Sequence, residues 1–331
     1  MRTQTSFKER FINFLLLLGT ALILIIPITW ILEVIYRSRI KDPKWVKWLS
    51  KARQYRKSIF YHGGLILLSA LWLVPVVWLI ASSFQSESGP NILTFFPEQT
   101  TFNNYINLFF HSDDVVKFPT WFLNTLIVAV FTCIISSMFV LMVSYPMSRM
   151  RFKWRKPLMN IGVIIGLFPG VLAMIAVYFI LKAVGLSGTL TALILVYSAS
   201  SGLGYLIAKG FFDTIPKSLD EAAKIDGASQ WDVFWKIIMP LSKPIIVYTV
   251  LTSFLAPWVD FFFARIIIPP TEYRHMTVAV GLFNMLERNL VNSYFAIFTA
   301  GAVIVSIPIA ALFIIMQKFY VEGVTGGSVK G

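Results

Sequence analysis

The chain has 331 residues, of which 57% are hydrophobic and only 14% charged, and its mean hydropathy is +0.73. A soluble domain could not cover that apolar surface with so few charges, so the class is an integral membrane protein. The net charge of +13 is not a nucleic-acid footprint: the basic residues fall between apolar segments, where orientation in the bilayer and contact with anionic lipid account for them.

A helix needs roughly 20 apolar residues to cross the hydrocarbon. Seven segments qualify, at about residues 11–36, 63–83, 121–145, 158–181, 189–208, 245–268 and 294–316. The runs are continuous rather than alternating, which excludes barrel strands. The fold class is an all-α polytopic membrane protein. The first segment carries Pro27 and is flanked by basic residues on both sides. It is too long, and too poor in small residues at its end, for a cleavable signal. It reads as an extra transmembrane helix ahead of a six-span core, with Glu33 and Arg37 one turn apart as an ion pair.

The loops set the direction. Residues 37–57 hold nine Lys/Arg against one acid, Asp42. Arg149, Arg151, Lys153, Arg155 and Lys156 follow the third segment, and five lysines lie in or beside residues 213–243. The loop 85–118 instead holds four acids against Lys117. The positive-inside rule places the basic loops and the C-terminus in the cytoplasm and the acidic loop outside.

Within the spans, Asn124 is placed to cap or to bond across helices, and Pro169–Gly170 to kink its helix. The run Tyr197–Gly204 is small and polar; it serves helix packing or lines a path with Tyr197, Ser198, Ser200 and Ser201. Cys133 lies in an apolar run, and as the single cysteine it excludes an intramolecular disulfide and a multi-cysteine metal site. Asp260, beside Trp258, is the one acid deep in a span. Three roles stay open for it: a structural bond, a gate or substrate contact, or an interfacial position.

Residues 213–240 are polar and turn-rich, and predict two short helices. Ser218 and Glu221 have capping-box spacing, and Leu219, Ala222 and Ala223 share a face. Gly227 suits a left-handed helix end, Ser229 with Asp232 opens the second helix, and Pro240 stops it. Trp231, Phe234, Trp235 and Ile238 give that helix a wide apolar face. Such a face at the cytoplasmic surface meets either a protein partner or lipid headgroups.

The stretch "EAAKIDGASQWDVFWKIIMP" resembles the EAA motif of ATP-binding-cassette importer permeases. Glu221, Ala222, Ala223, Gly227, Ile237 and Pro240 stand at the motif spacings, and Met239 replaces the usual Leu. "FLNTLIVAV", "YPMSRMRF", "GLSGTLTALIL" and the tail "VEGVTGGSVKG" are similar to segments of carbohydrate-type permeases, the tail to the maltose-transporter type. The resemblance covers residues 61–331 and implies a six-helix type I permease core. It divides the chain into an extra helix and basic linker (1–60), a transmembrane domain (61–317) with its coupling loop at 213–240, and a cytoplasmic tail (318–331).

By the same resemblance, Glu221, Ala222, Ala223, Asp226, Gly227 and Pro240 couple to a cytoplasmic ATPase, and Gly326, Gly327 and Lys330 of the tail reach it. Tyr197, Ser198, Ser201, Trp258 and Asp260 are the substrate-path candidates. The implied partners are a second permease, an ATPase dimer, an extracytoplasmic solute-binding protein, an oligosaccharide and membrane lipid, with no nucleic acid. The implied place is a prokaryotic inner or plasma membrane. The chain itself has no G-x-x-x-x-G-K-[ST], H-E-x-x-H or G-x-S-x-G sequence. It is therefore read as no enzyme, without catalytic residues, metal or cofactor of its own, ATP and Mg belonging to the partner. The alternative is a secondary transporter of a small polar solute, for which Asp260 alone is thin support.

Overall fold

The computed structural model describes residues 43–87, 89–90, 94–110, 115–200, 203–269 and 273–326, with side chains described between 58 and 317 except 59 and 60. The predicted first span, the Glu33–Arg37 pair, Ser201, Gly327 and Lys330 lie outside the described residues. The described residues are helical with no strand; an isolated antiparallel bridge joins Gln85 to Thr100.

The chain divides into two units, Met1–Val76 and Val77–Gly331. Helix α1, Pro43–Ser83, supplies the described part of the first. Its apolar window Tyr61–Ser83 is long enough to span, and Leu65, Ile66, Leu71 and Trp72 are all exposed, as lipid-facing side chains would be.

The second unit is built around α3, Phe118–Arg149, preceded by the short α2, Asn103–Phe110. Then come α4, Arg155–Gly166, and α5, Gly170–Ala183; α6, Leu190–Ser200, and α7, Gly204–Thr214; α8, Lys217–Ile225; α9, Gln230–Leu241; α10, Lys243–Val259; α11, Phe262–Ile267; α12, Val278–Asn284; and α13, Val291–Gly326. With α1, the helices α3 and α13 are single candidate spans, and three more arise if each bent pair counts as one.

Two predicted spans are more broken than their apolar runs suggest. The segment expected at 158–181 with a kink is two helices at 98°, because Pro169 is non-helical (ψ 116°) and becomes the N-cap of α5. The segment expected at 245–268 ends as a helix at Val259 and restarts at Phe262.

Two apolar cores stack along α3. One gathers Phe118, Trp121 and Val128 with Leu193, Ile267, Met276 and Met285. Here the Trp121 ring lies so close to Gly281 that a Cβ there would come within 2.3 Å of it, so only glycine fits. Trp121 Nε1 donates to the Tyr273 carbonyl (2.6 Å), and Asn124 Nδ2 to those of Arg274 (2.7 Å) and Met276 (3.0 Å). Asn124, expected to cap or to bond across helices, thus fastens the non-helical segment before α12 instead. The other core gathers Val140, Leu141 and Tyr145 with Phe212, Val233, Phe234 and Ile238, and seats the loop 213–240.

Candidate functional site: the loop between α7 and α10

Pro216 sets the start of α8. Its backbone (φ −57°, ψ 131°) is the last non-helical residue, so it is the N-cap, and no side chain caps the helix. Ser218 already lies inside the helix, and the predicted Ser218–Glu221 box does not form. At the other end α8 closes as expected of Gly227, which has φ +86°. Ala228 N–H donates to Ala223 O (2.9 Å) and Gly227 N–H to Lys224 O (3.1 Å), the paired bonds of a Schellman turn.

The two faces of α8 differ sharply. Asp220 is 6% exposed, and its Oδ2 lies 3.5 Å from Arg149 Nη1, an ion pair without hydrogen-bond geometry. Arg149 also donates from Nη2 to the carbonyls of Phe212 (2.8 Å) and Ile215 (2.9 Å) at the C-terminal end of α7, where the Phe212 carbonyl also takes the Ile215 N–H (3.2 Å). One side chain at the end of α3 therefore holds both the end of α7 and the start of α8. Alongside it, Ser148 donates to Asp213 (2.6 Å), which also pairs with Lys209. The other face carries Glu221, Ala222 and Ile225, all exposed, Ile225 at 87%; Asp226 is exposed at the C-cap. Ala223 is half-buried against the second core.

Helix α9 opens as read: Asp232 N–H donates to Ser229 Oγ (3.1 Å) and Ser229 N–H to Asp232 Oδ2 (3.2 Å), a capping box. Lys236 sits 2.7 Å from the other carboxylate oxygen. Hydrogen bonds from Lys236, then from Ser229, hold the Asp232 carboxyl down at about 2.

The stop expected at Pro240 is displaced. Residues Val233–Ile238 form a π turn, and helix resumes over Met239–Leu241 before breaking at Ser242. Pro240 has no N–H for residue 236, and its ring crowds that carbonyl; widening the preceding turn relieves both without ending the helix. The wider turn also splits the predicted apolar face. Phe234 and Ile238 are buried, with Phe234 against Tyr145 (centroids 5.0 Å), whereas Trp231 and Trp235 stay exposed. Tyr145 adds a bond to Gln230 Oε1 at 2.9 Å. Beyond Ser242, α10 leaves at 83°, with Pro244 in its first turn, where its missing N–H costs nothing.

The remaining predicted residues separate into three places. Trp258 is 3% exposed in the first core, between Phe122 and Phe254. Asp260 bridges the break after α10: it accepts from Tyr197 Oη (2.7 Å), Ala264 N–H (3.0 Å) and Phe263 N–H (3.5 Å), so it caps α11. Arg265 looks away from it, to Asn284 (2.8 Å) and Glu287 (3.0 Å). Ser198 is buried beside Tyr197 in α6. Gly326 is the last residue of α13, so helix runs well into the predicted tail. In the sequence Arg149 is only an orienting charge and Asp220 has no role, because the two are far apart in the chain and meet only once α8 folds back on the end of α3. The available signal is that Asp220 falls about 100° round the helix from Glu221, outside the face that Glu221 shares with Ile225.

Among the described residues no three His, Cys, Asp or Glu side chains converge as a metal site. The fold and this loop define a polytopic, all-α transport subunit that presents a short helical knob beside its spans. The chain belongs to the family of binding-protein-dependent transport system inner membrane components, whose pattern matches residues 138–325. It is thus a multi-pass inner-membrane permease and not an enzyme. It is 32% identical over 283 residues to the galactooligosaccharides transport system permease protein GanQ of Bacillus subtilis, covering 85% of this chain and 98% of the relative. It is 33% identical over 270 residues to the maltodextrin transport system permease protein MalD of Streptococcus pneumoniae, covering 81% and 93%. A chain of a bacterial ABC transporter involved in import of the acidic polysaccharide alginate shares the fold, with a TM-score of 0.67 at 21% identity, covering 80% of this chain and 97% of that one.

Proposed function

We propose that the chain is one of two permease halves of an ATP-driven oligosaccharide importer, with residues 213–240 as its coupling knob. A second permease completes the path, and a binding protein delivers the sugar from outside. A cytoplasmic ATPase dimer, which carries ATP and Mg, docks on α8. The C-terminus, with Gly326, Gly327 and Lys330, lies on that same cytoplasmic side. The division at 60/61 and 317/318 follows from this reading, with residues 1–60 outside the transport core. Relatives named for galactooligosaccharides and maltodextrins support the substrate class.

The observation that carries the reading is the contrast between neighbours on α8. Asp220 turns inward to Arg149 and ties the helix to α3, while Glu221 is exposed with no partner among the described residues. A helix held from behind with a free carboxylate in front passes a push to the span that holds it. Ala222 and Gly227 keep the front face low, and Pro240 lies in the last turn of the knob, which ends at the break at Ser242. Closure of the ATPase would then rock the spans between their two openings.

Co-purification tests this. Glu221→Ala should lose most of the ATPase from the detergent-solubilised complex and cut sugar uptake at least about tenfold, the effect of roughly 1.4 kcal/mol of lost coupling. Full ATPase retention with unchanged uptake would overturn the reading.

A further inference from the structure

Between α3, α6, α7 and α10 lies a groove of about 240 Å³. Eight of its twelve lining residues carry a hydroxyl, against one of twelve and two of eight in the larger cavities elsewhere. No Lys, Arg, Asp or Glu lines it. Thr132 and Ser136 sit near the midpoint of α3, which puts the groove near mid-membrane, where lipid offers no hydrogen-bond partner.

The hydroxyl protons are mostly spent within the chain. Thr249 donates to Ile245 O (2.8 Å), Thr252 to Tyr248 O (2.9 Å), Ser200 to Tyr197 O (3.1 Å) and Ser253 to Ser136 Oγ (3.1 Å). Their lone pairs remain, so towards a ligand these groups act as acceptors. Thr132 differs: it is 1% exposed, lines the groove, and its Oγ1 makes no hydrogen bond. A buried hydroxyl without a partner costs roughly 1–3 kcal/mol and calls for one.

We infer that the groove is a subsite for one ring of an uncharged sugar chain in transit. This rests on the permease reading above. A sugar ring brings many O–H donors to a wall of acceptors. A uronate ring brings an acceptor-only anion to the same wall, with no cation to receive it. The volume falls below the ~300–1,000 Å³ of a complete small-molecule site, so the groove takes one ring and the facing subunit supplies the rest.

The test uses the full transporter, with its companion permease and ATPase, in a Cys133→Ser background. Thr252, exposed on the groove wall, is changed to Cys and treated with hydroxyethyl methanethiosulfonate, a small neutral reagent. The thiol should label, and maltotetraose or a galactotetraose should slow labelling at least about fivefold while trigalacturonate does not; Thr132→Val should weaken that protection by roughly fivefold, the worth of one hydrogen bond. No labelling, as when a companion helix fills the groove, overturns the subsite. So does labelling that neither neutral sugar slows, or that trigalacturonate slows equally. A chain that assembles with no ATPase overturns the permease reading instead.

Discussion

Arg149, the last residue of α3, and Asp220, in the first turn of α8, form an ion pair at 3.5 Å with both side chains nearly inaccessible, at 2% and 9%. Water cannot compensate either charge there, so each partner is strongly destabilising once alone. Asp220→Ala should loosen the loop by about 3–5 kcal/mol. The expected readout is protease cutting within 213–240 at concentrations that leave the wild type intact, with the thermal unfolding of the remaining spans little changed. Glu221→Ala, on the exposed face, should leave that cutting pattern as it is.

Gly227 supplies the left-handed turn between α8 and α9, and a Cβ added there would meet nothing within 4 Å. Any cost of substitution is therefore conformational rather than steric crowding. Gly227→Ala should destabilise the loop by about 1–2 kcal/mol, and Gly227→Asn by less, since Asn enters this region more readily. Loop proteolysis rates ranked Gly, Asn, Ala in rising order would show this.

The spans from 63 onward were legible because bilayer thickness leaves a plain mark on an apolar run. The breaks were less so. Nothing in a hydropathy trace separates a kink at Pro169 from a 98° turn, or reveals that the run 245–268 is cut at Asp260. Those depend on which carbonyl or carboxylate stands nearby once the chain is folded. The loop shows both outcomes. The cap at Ser229–Asp232 and the end at Gly227 are local chemistry and were readable. Ser218 kept the right spacing, but Pro216 upstream had already set the helix start. The face of Trp231, Phe234, Trp235 and Ile238 assumed 3.6 residues per turn, and the π turn before Pro240 broke that assumption.

Asp232 sets how the cap of α9 responds to pH. Its folded pKa of about 2 lies below the ~3.9 of an unfolded aspartate. A lowered folded value means stability fully present above about 4 and lost as pH falls towards 2. The cap should therefore be indifferent to pH between 5 and 8. Uptake profiles of wild type and Asp232→Asn over that range should run parallel; divergence near pH 6 would show that another group governs the cap.

Asp260 is the acid that sequence alone left open between a bond, a gate and the interface. Its carboxylate takes three hydrogen bonds, two from the first turn of α11 and one from Tyr197. The apolar run is cut here, and without those bonds the N–H groups of Phe263 and Ala264 would face a part-buried, largely apolar surrounding. Asp260→Ala should thus lower stability by about 1–2 kcal/mol as a lost cap. Asp260→Asn, which keeps an oxygen acceptor, should cost less, and Tyr197→Phe should cost about 1 kcal/mol for one hydrogen bond. Because Tyr197 and Asp260 share that bond, Tyr197→Phe in the Asp260→Ala background should add little further loss, and a double-mutant cycle on the detergent-solubilised transporter measures the coupling. Additive losses would mean that the two side chains act separately, and that the acid is held for some task other than joining α10 to α11.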